Sequence, residues 1–136
     1  MKKKPFLHAE LSDKVIGAFY KVYNSLGYGF VESVYQNALA LELQTLGLEV
    51  KKESSIEVFY RGEVIGSFRA DLIINDLILL ELKSSSSIID AHILQLNNYL
   101  SATNIELGFV FNFGEKPKFK RRVFDNSRKL LLKKVG

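Results

Sequence analysis

The most apolar run of the chain, Leu77-Ile78-Leu79-Leu80, passes without a break into Glu81-Leu82-Lys83. Such a run reads as a central strand of a sheet. Residues two apart on a strand share a face, roughly 6 to 7 Å from each other, so Glu81 and Lys83 point one way and Leu80 and Leu82 the other. A carboxylate and an ammonium thus stand at the rim of the core, where burying either ion is costly unless a partner or a metal compensates. The preceding apolar stretch holds a second anomaly, Asp71, between Ala70 and Leu72-Ile73-Ile74.

Two acids and a lysine converging on adjacent strands allow two readings. One is a cross-strand salt-bridge cluster in which Arg69 and Lys83 satisfy Asp71 and Glu81. The other is a cation site, since two hard oxygen ligands suit Mg²⁺, which takes one or two carboxylates plus waters and phosphate oxygens. The second reading constrains the strand register. A plain two-residue loop at Asn75-Asp76 pairs Ile74 with Leu77, places Leu80 opposite Asp71 and turns Asp71 away from Glu81. Joint ligation therefore requires an odd residue, either a three-residue loop over 75–77 or a bulge near Asp71.

The rest of the chain builds around these strands. Leu7, Leu11, Val15, Phe19, Val22 and Leu26 form one helical stripe, with Ser12 capping its main part and Gly27 ending it. A second stripe runs through Val31, Val34, Tyr35, Ala38, Leu39, Leu41 and Leu46 to Gly47. The period then changes to two, predicting strands over 48–50, 56–60, 64–74 and 77–82 in a mainly antiparallel meander. The serines at 84–87 are placed to cap a helix over 88–101, followed by a strand at 107–113. An edge strand at 119–124 and a short basic helix at 127–134 complete the order ααββββαβ(β), an α+β domain with helices packed on one sheet.

At 136 residues and 47% hydrophobic, residues 1–136 are expected to form one folded domain. The absence of cysteine excludes disulfides, thiolate zinc sites and a cysteine nucleophile, and two histidines exclude a histidine-rich centre, so any metal is held mainly by oxygen. No window approaches the ~18 apolar residues of a membrane span, and a cytoplasmic location is expected. Charge is unevenly distributed: positions 116–136 carry nine Lys or Arg against Asp125 alone, while the first 115 residues carry ten bases and fourteen acids. A basic segment beside an acidic body is the footprint of a nucleic-acid binder, with a solvated tail as the alternative.

Asp71, nine residues, then Glu81-Leu82-Lys83 resembles the D…(D/E)-x-K signature of the PD-(D/E)XK nuclease superfamily. Gly29-Phe30-Val31-Glu32-Ser33-Val34-Tyr35 is similar to the motif that names its GxxExxY family. The resemblance runs from Leu11 through Arg122 and includes Gln95-Leu96-Asn97-Asn98-Tyr99-Leu100 and Leu107-Gly108-Phe109-Val110-Phe111-Asn112-Phe113. It departs at Ala70, where the signature often has proline. The resemblance implies a restriction-endonuclease-like core, an α/β sandwich with a mainly antiparallel or mixed sheet, two N-terminal helices and one helix after the catalytic strand. It implies Mg²⁺-dependent hydrolysis of phosphodiesters of DNA or RNA, with Mn²⁺ as a substitute. Carried over by residue, Asp71, Glu81 and the Leu82 carbonyl ligate the metal, and Lys83 positions and activates water. Glu32 is the helical acid that binds metal directly or through water, and Gln95 is the supporting polar residue. A non-catalytic nucleic-acid-binding or partner-binding module on the same fold is the alternative.

The expected phosphate contacts are Lys116, Lys118, Lys120, Arg121, Arg122, Arg128 and Lys129, with nucleic acid, DNA before RNA, as partner and a homodimer or accessory protein as a further expectation. Tyr35 is read as packing in preference to hydrogen bonding at the site, and Gly29 as a turn residue. His92, Gln95 and Tyr99 share one helical face, but His92 is left out of the catalytic set.

Overall fold

A computed structural model describes residues 7–130. Helices α1 (Ala9–Leu26) and α2 (Glu32–Thr45) come first, then strands β1 (Val50–Tyr60), β2 (Glu63–Ile74) and β3 (Ile78–Lys83). Helix α3 (Asp90–Ser101) leads to β4 (Leu107–Phe113) and β5 (Pro117–Val123), and a 3₁₀ turn follows at Asn126–Arg128. The strands form one mixed sheet in the order β1-β2-β3-β4-β5. Only β3 and β4 are parallel, because α3 carries the chain back across the sheet between them. The α+β architecture with two leading helices and one helix after β3 is as expected, consistent with a restriction-endonuclease-like fold.

Each face of the sheet has its own core. Leu72, Ile74, Ile78, Leu80 and Leu82 pack with α1 and α2, around Phe19 stacked on Phe111 (4.4 Å, 3°) and Tyr35 stacked on Phe113 (4.2 Å, 14°). Ala70, Ile73, Leu79 and Val110 pack with Leu96 and Leu100 of α3 on the other face. The helix comes close to the sheet over Gly108, where an added Cβ would lie 2.7 Å from Leu96 Cδ1 and 3.1 Å from the Leu79 carbonyl.

The odd residue that joint ligation demands is supplied by a three-residue loop over 75–77. Asn75 and Asp76 are left-handed (φ 52° and 54°), and the Leu77 N–H donates to the Ile74 carbonyl at 2.9 Å. Leu77 is then the odd residue, so Ile74 pairs with Ile78 and Leu72 with Leu80. That register sets Asp71 across from Glu81. Further along β2, Phe68 and Ala70 face α3 whereas Leu72 and Ile74 face α1 and α2, so the alternation reverses at Asp71. On the neighbouring strand Glu53 is left-handed (φ 50°), and the ladder skips the Glu53/Asp71 step.

Several expected details differ. The strands expected at 48–50 and 56–60 are one continuous β1, so three strands precede α3. Ser12 does not cap α1; it lies buried inside that helix, its hydroxyl unpartnered. The serines at 84–87 do not cap α3, whose first turn is instead closed by His92 Nδ1 accepting from the Ile89 N–H at 3.2 Å. The helix expected at 127–134 is a single 3₁₀ turn, after which Lys129 is extended (φ −85°, ψ 113°); positions 131–134 lie outside the described residues.

Candidate active site

At the end of the β2–β3 ladder the carboxylates of Asp71 and Glu81 take the place of main-chain pairing. The Asp71 N–H donates to Glu81 Oε2 at 2.9 Å, and the Leu82 N–H donates to Asp71 Oδ2 at 2.7 Å. Each acid therefore holds the other strand's backbone and keeps one carboxylate oxygen outside this exchange. A strand residue's N–H and C=O face the same edge, so the Leu82 carbonyl also looks toward β2, beyond the last ladder pair. Gln36, one turn after Glu32 on α2, donates to the Asp71 carbonyl at 3.3 Å.

The electrostatics of this corner are unfavourable for two bare anions. Glu81 is only 3% exposed, and burial, reinforced by the Asp71 charge, pushes its carboxyl up to about 8. Burial also raises Asp71, against the opposing pull of the Leu82 N–H and the Lys83 ammonium, and Glu32 and Glu53 add repulsion. Among the described residues neither acid has a basic side chain within ion-pair distance, unlike Glu42, which pairs with Lys21, or Asp76, which pairs with Lys51. The salt-bridge cluster with Arg69 is therefore not what forms.

Lys83 continues the face of Glu81. Its Nζ donates to Gln95 Oε1 at 3.0 Å, Gln95 Nε2 donates to the Tyr99 hydroxyl at 3.0 Å, and the Tyr99 ring stacks on Phe68 of β2 (3.9 Å, 10°). Gln95 thus holds the ammonium from α3. Glu32 opens α2, where the helix dipole favours an acid. It is exposed and acts on Asp71 and Glu81 through its charge. His92 faces the same corner: burial and Lys83 lower its pKa, and Glu32 raises it.

The donor set fits a hard divalent cation: two carboxylates and a carbonyl on one edge, with an excess of negative charge that a cation would relieve. Among the described residues no group of three or more His, Cys, Asp or Glu is placed to hold a metal ion, so the side-chain donors at this corner are the two carboxylates alone.

The motif around Glu32 has a structural explanation. Gly29 is at φ 110°, and the buried Tyr35 hydroxyl donates to the Gly27 carbonyl at 2.7 Å while accepting from the Phe30 N–H at 3.3 Å. Tyr35 packs, as expected, and also fixes the loop that delivers Glu32. On the other side, Asn112 is 1% exposed and binds Ser85 reciprocally, its Oδ1 accepting from the Ser85 N–H at 3.0 Å and its Nδ2 donating to the Ser85 carbonyl at 2.9 Å. A polar residue in the apolar strand Leu107–Phe113 is the signal that would have found it.

Of the expected phosphate contacts, Lys116, Lys118, Lys120 and Arg128 are exposed and Arg121 and Arg122 half-buried. Arg121 Nη2 donates to the Leu7 carbonyl, and Arg122 Nη1 to the Arg121 carbonyl. Lys129 is a correction: it is buried, and its ammonium donates to the carbonyls of Thr103 (2.8 Å) and Ile105 (2.7 Å), 5.8 Å from the Phe124 ring centroid. Burial lowers its pKa to about 8. It anchors the segment after β5 and cannot reach a phosphate from there.

The family model of the PD-(D/E)XK nuclease superfamily matches residues 9–123. No curated protein matches the chain. Among solved structures, the crystal structure of SSO0001 is similar, at 22% identity and a TM-score of 0.47, over 68% of this chain and 52% of that one. The chain spans about half the length of that protein.

Proposed function

We propose, for a chain that belongs to the PD-(D/E)XK nuclease superfamily, that it hydrolyses phosphodiester bonds of nucleic acid, DNA before RNA, with Mg²⁺ held by Asp71, Glu81 and the Leu82 carbonyl. The observation that carries this reading is the interlocked Asp71/Glu81 pair with the Lys83 ammonium on the same face. The spacing of Gly29, Glu32 and Tyr35 supports placing the chain in the GxxExxY family.

Bound Mg²⁺ supplies Lewis acidity at the phosphoryl oxygen and lowers the pKa of coordinated water; Mn²⁺ does the same. The protein's part is positional. Asp71 and Glu81 present oxygens from two strands whose relative register is fixed by the odd residue Leu77. Lys83 orients the attacking water and offsets charge developing on the phosphoryl group. Gln95 holds the Lys83 ammonium, and Glu32 reaches the site from α2, through water. Phosphates flanking the scissile bond meet Lys116, Lys118, Lys120 and Arg128. A homodimer or an accessory protein would add to the surface that recognises the substrate.

The test is incubation of single-stranded, duplex and branched DNA and RNA with the protein in Mg²⁺, Mn²⁺ or EDTA. Cleavage is expected with either metal, abolished by EDTA and by Asp71→Ala. Lys83→Ala is expected to lose about 10²- to 10⁴-fold, the range of a positioned proton-transfer group. Salt-dependent binding without cleavage by the wild type would favour the non-catalytic module instead.

A further inference from the structure

Between the Gly27–Phe30 loop and the serine loop after β3 lies a cleft of about 690 Å³, within the range of ~300–1,000 Å³ typical of ligand pockets. It opens directly beside the proposed catalytic corner: Glu32 lines it, and Ser84, the next residue after Lys83, forms part of its wall. Its apolar lining is Val31 with three aromatic residues, the buried Phe113 at the base and Tyr28 and Phe30 at the rim, 62% and 47% exposed. Hydroxyls of the serine loop supply polar edges. The lining contains no Lys or Arg but does contain Glu32 and Glu115.

That composition repels a phosphate and suits a flat, neutral group with hydrogen-bonding edges. A second cleft adjoins the first, sharing Ser86 and Glu115, and it is lined by Lys116, Lys118 and Lys120. Phosphates thus have a basic groove next to an aromatic cleft that excludes them. We infer that the aromatic cleft takes an unpaired nucleobase beside the scissile phosphate, so that the substrate is single-stranded, or frayed, at the site. A base inside a duplex is stacked and paired and cannot enter such a cleft, whereas an unpaired base stacks on exposed rings. The inference rests on the nuclease reading above and names its substrate class.

Both walls are fixed in advance. The Tyr35 hydroxyl pins one loop at Gly27 and Phe30, Asn112 pins the other at Ser85, and Ser84 Oγ donates to the Phe30 carbonyl at 2.8 Å, tying the two together. Gly114 completes the cradle, since a Cβ there would fall 2.5 Å from the Ser85 carbonyl.

The experiment is fluorescence anisotropy in EDTA, where no metal-dependent cleavage occurs, with labelled single-stranded DNA, single-stranded RNA and the matching duplexes. Wild type, Tyr28→Ala, Phe30→Ala and Lys83→Ala are compared, with circular dichroism to show that each folds. The single strands are expected to bind more tightly than the duplexes. Each aromatic substitution is expected to weaken single-strand binding by roughly 5- to 100-fold and to leave duplex binding within about twofold. A 2-aminopurine placed in the single strand is expected to be quenched by the wild type and less so by Tyr28→Ala, a variant at an exposed ring that does not depend on Phe30 being dispensable for folding. Equal losses for duplex and single strand, unchanged single-strand binding in Tyr28→Ala, or no nucleic-acid binding by the wild type would overturn the inference. Cleavage that needs Lys83 but is indifferent to Tyr28 would overturn the cleft alone; Tyr28-dependent single-strand binding by a protein that never cleaves would support the cleft and overturn the nuclease.

Discussion

Glu81 is the residue under the greatest electrostatic tension, and its behaviour with pH follows from the direction of its shift. Its carboxyl titrates near 8 in the folded protein and near 4.5 when unfolded. Between those values the folded state binds the extra proton, so unfolding free energy falls as pH rises. The stabilisation is fully present below about 4.5 and is lost as pH passes through about 8; Asp71 shifts in the same direction. Urea midpoints in EDTA are therefore expected to drop from pH 5 to pH 8.5, by a few kcal/mol in stability at roughly 1.4 kcal/mol per unit. Glu81→Gln should flatten that slope while abolishing cleavage. Millimolar Mg²⁺ at pH 8.5 should restore wild-type stability and leave Glu81→Gln unmoved. A wild-type midpoint that rises with pH in EDTA would contradict the assignment. Asp71, Glu81 and Lys83 were legible in the sequence as candidates because charge in an apolar strand has few purposes, whereas Gln95 was named only through the resemblance of its helix to the family's. Lys129 was not legible: composition counts a lysine as surface charge, and only the fold shows the Thr103 and Ile105 carbonyls awaiting a donor. Lys129→Ala leaves both carbonyls unmatched. It is expected to destabilise by about 2 to 5 kcal/mol, read as a melting shift, with nucleic-acid affinity of the folded protein unchanged.

At the scale of elements, the site depends on where α3 rests. Gly108 lets the helix approach the sheet, and α3 carries Gln95 to the Lys83 ammonium. Gly108→Ala would push Leu96 outward, costing about 1 to 3 kcal/mol by overpacking. Its expected signature is a loss of kcat beyond what the fall in stability explains, with KM little changed, as Lys83 loses its partner. Unchanged kcat in a folded Gly108→Ala would show that α3 does not position Lys83. Helix and strand types followed from periodicity, but boundaries followed from contacts that periodicity does not contain. The serines at 84–87 have the chemistry of helix caps, yet Asn112 and Phe30 claim them for a loop. The break between the two expected strands before Tyr60 vanished because Glu53 accepts a left-handed conformation and β1 runs through it. The register of the β2–β3 hairpin could be posed from sequence as a choice between loop and bulge; the structure takes the three-residue loop, and the β1–β2 register is the same on either side of Asp71.

For the whole molecule, the described part of the basic segment, 116–130, includes β5 at the edge of the sheet and the 3₁₀ turn after it. Exposed Lys116, Lys118 and Lys120 lie along one edge, beside the proposed catalytic corner. Neutralising all three as glutamines is expected to reduce the salt dependence of nucleic-acid binding by about 2 to 3 in slope, at roughly 0.7 to 0.9 per phosphate contact. An unchanged slope would make this edge an ordinary solvated face. No described helix is long and apolar enough to cross a membrane. The proposed chemistry requires that Asp71 and Glu81 together hold a divalent cation. The most direct measurement is titration with Mn²⁺ followed by the loss of its free-ion electron paramagnetic resonance signal, for wild type, Asp71→Asn, Glu81→Gln and Glu32→Gln. Uptake is expected for the wild type, its loss in both the Asp71 and the Glu81 variants, and at most a weakening in the Glu32 variant. Uptake that persists undiminished when either Asp71 or Glu81 is neutralised would contradict joint ligation.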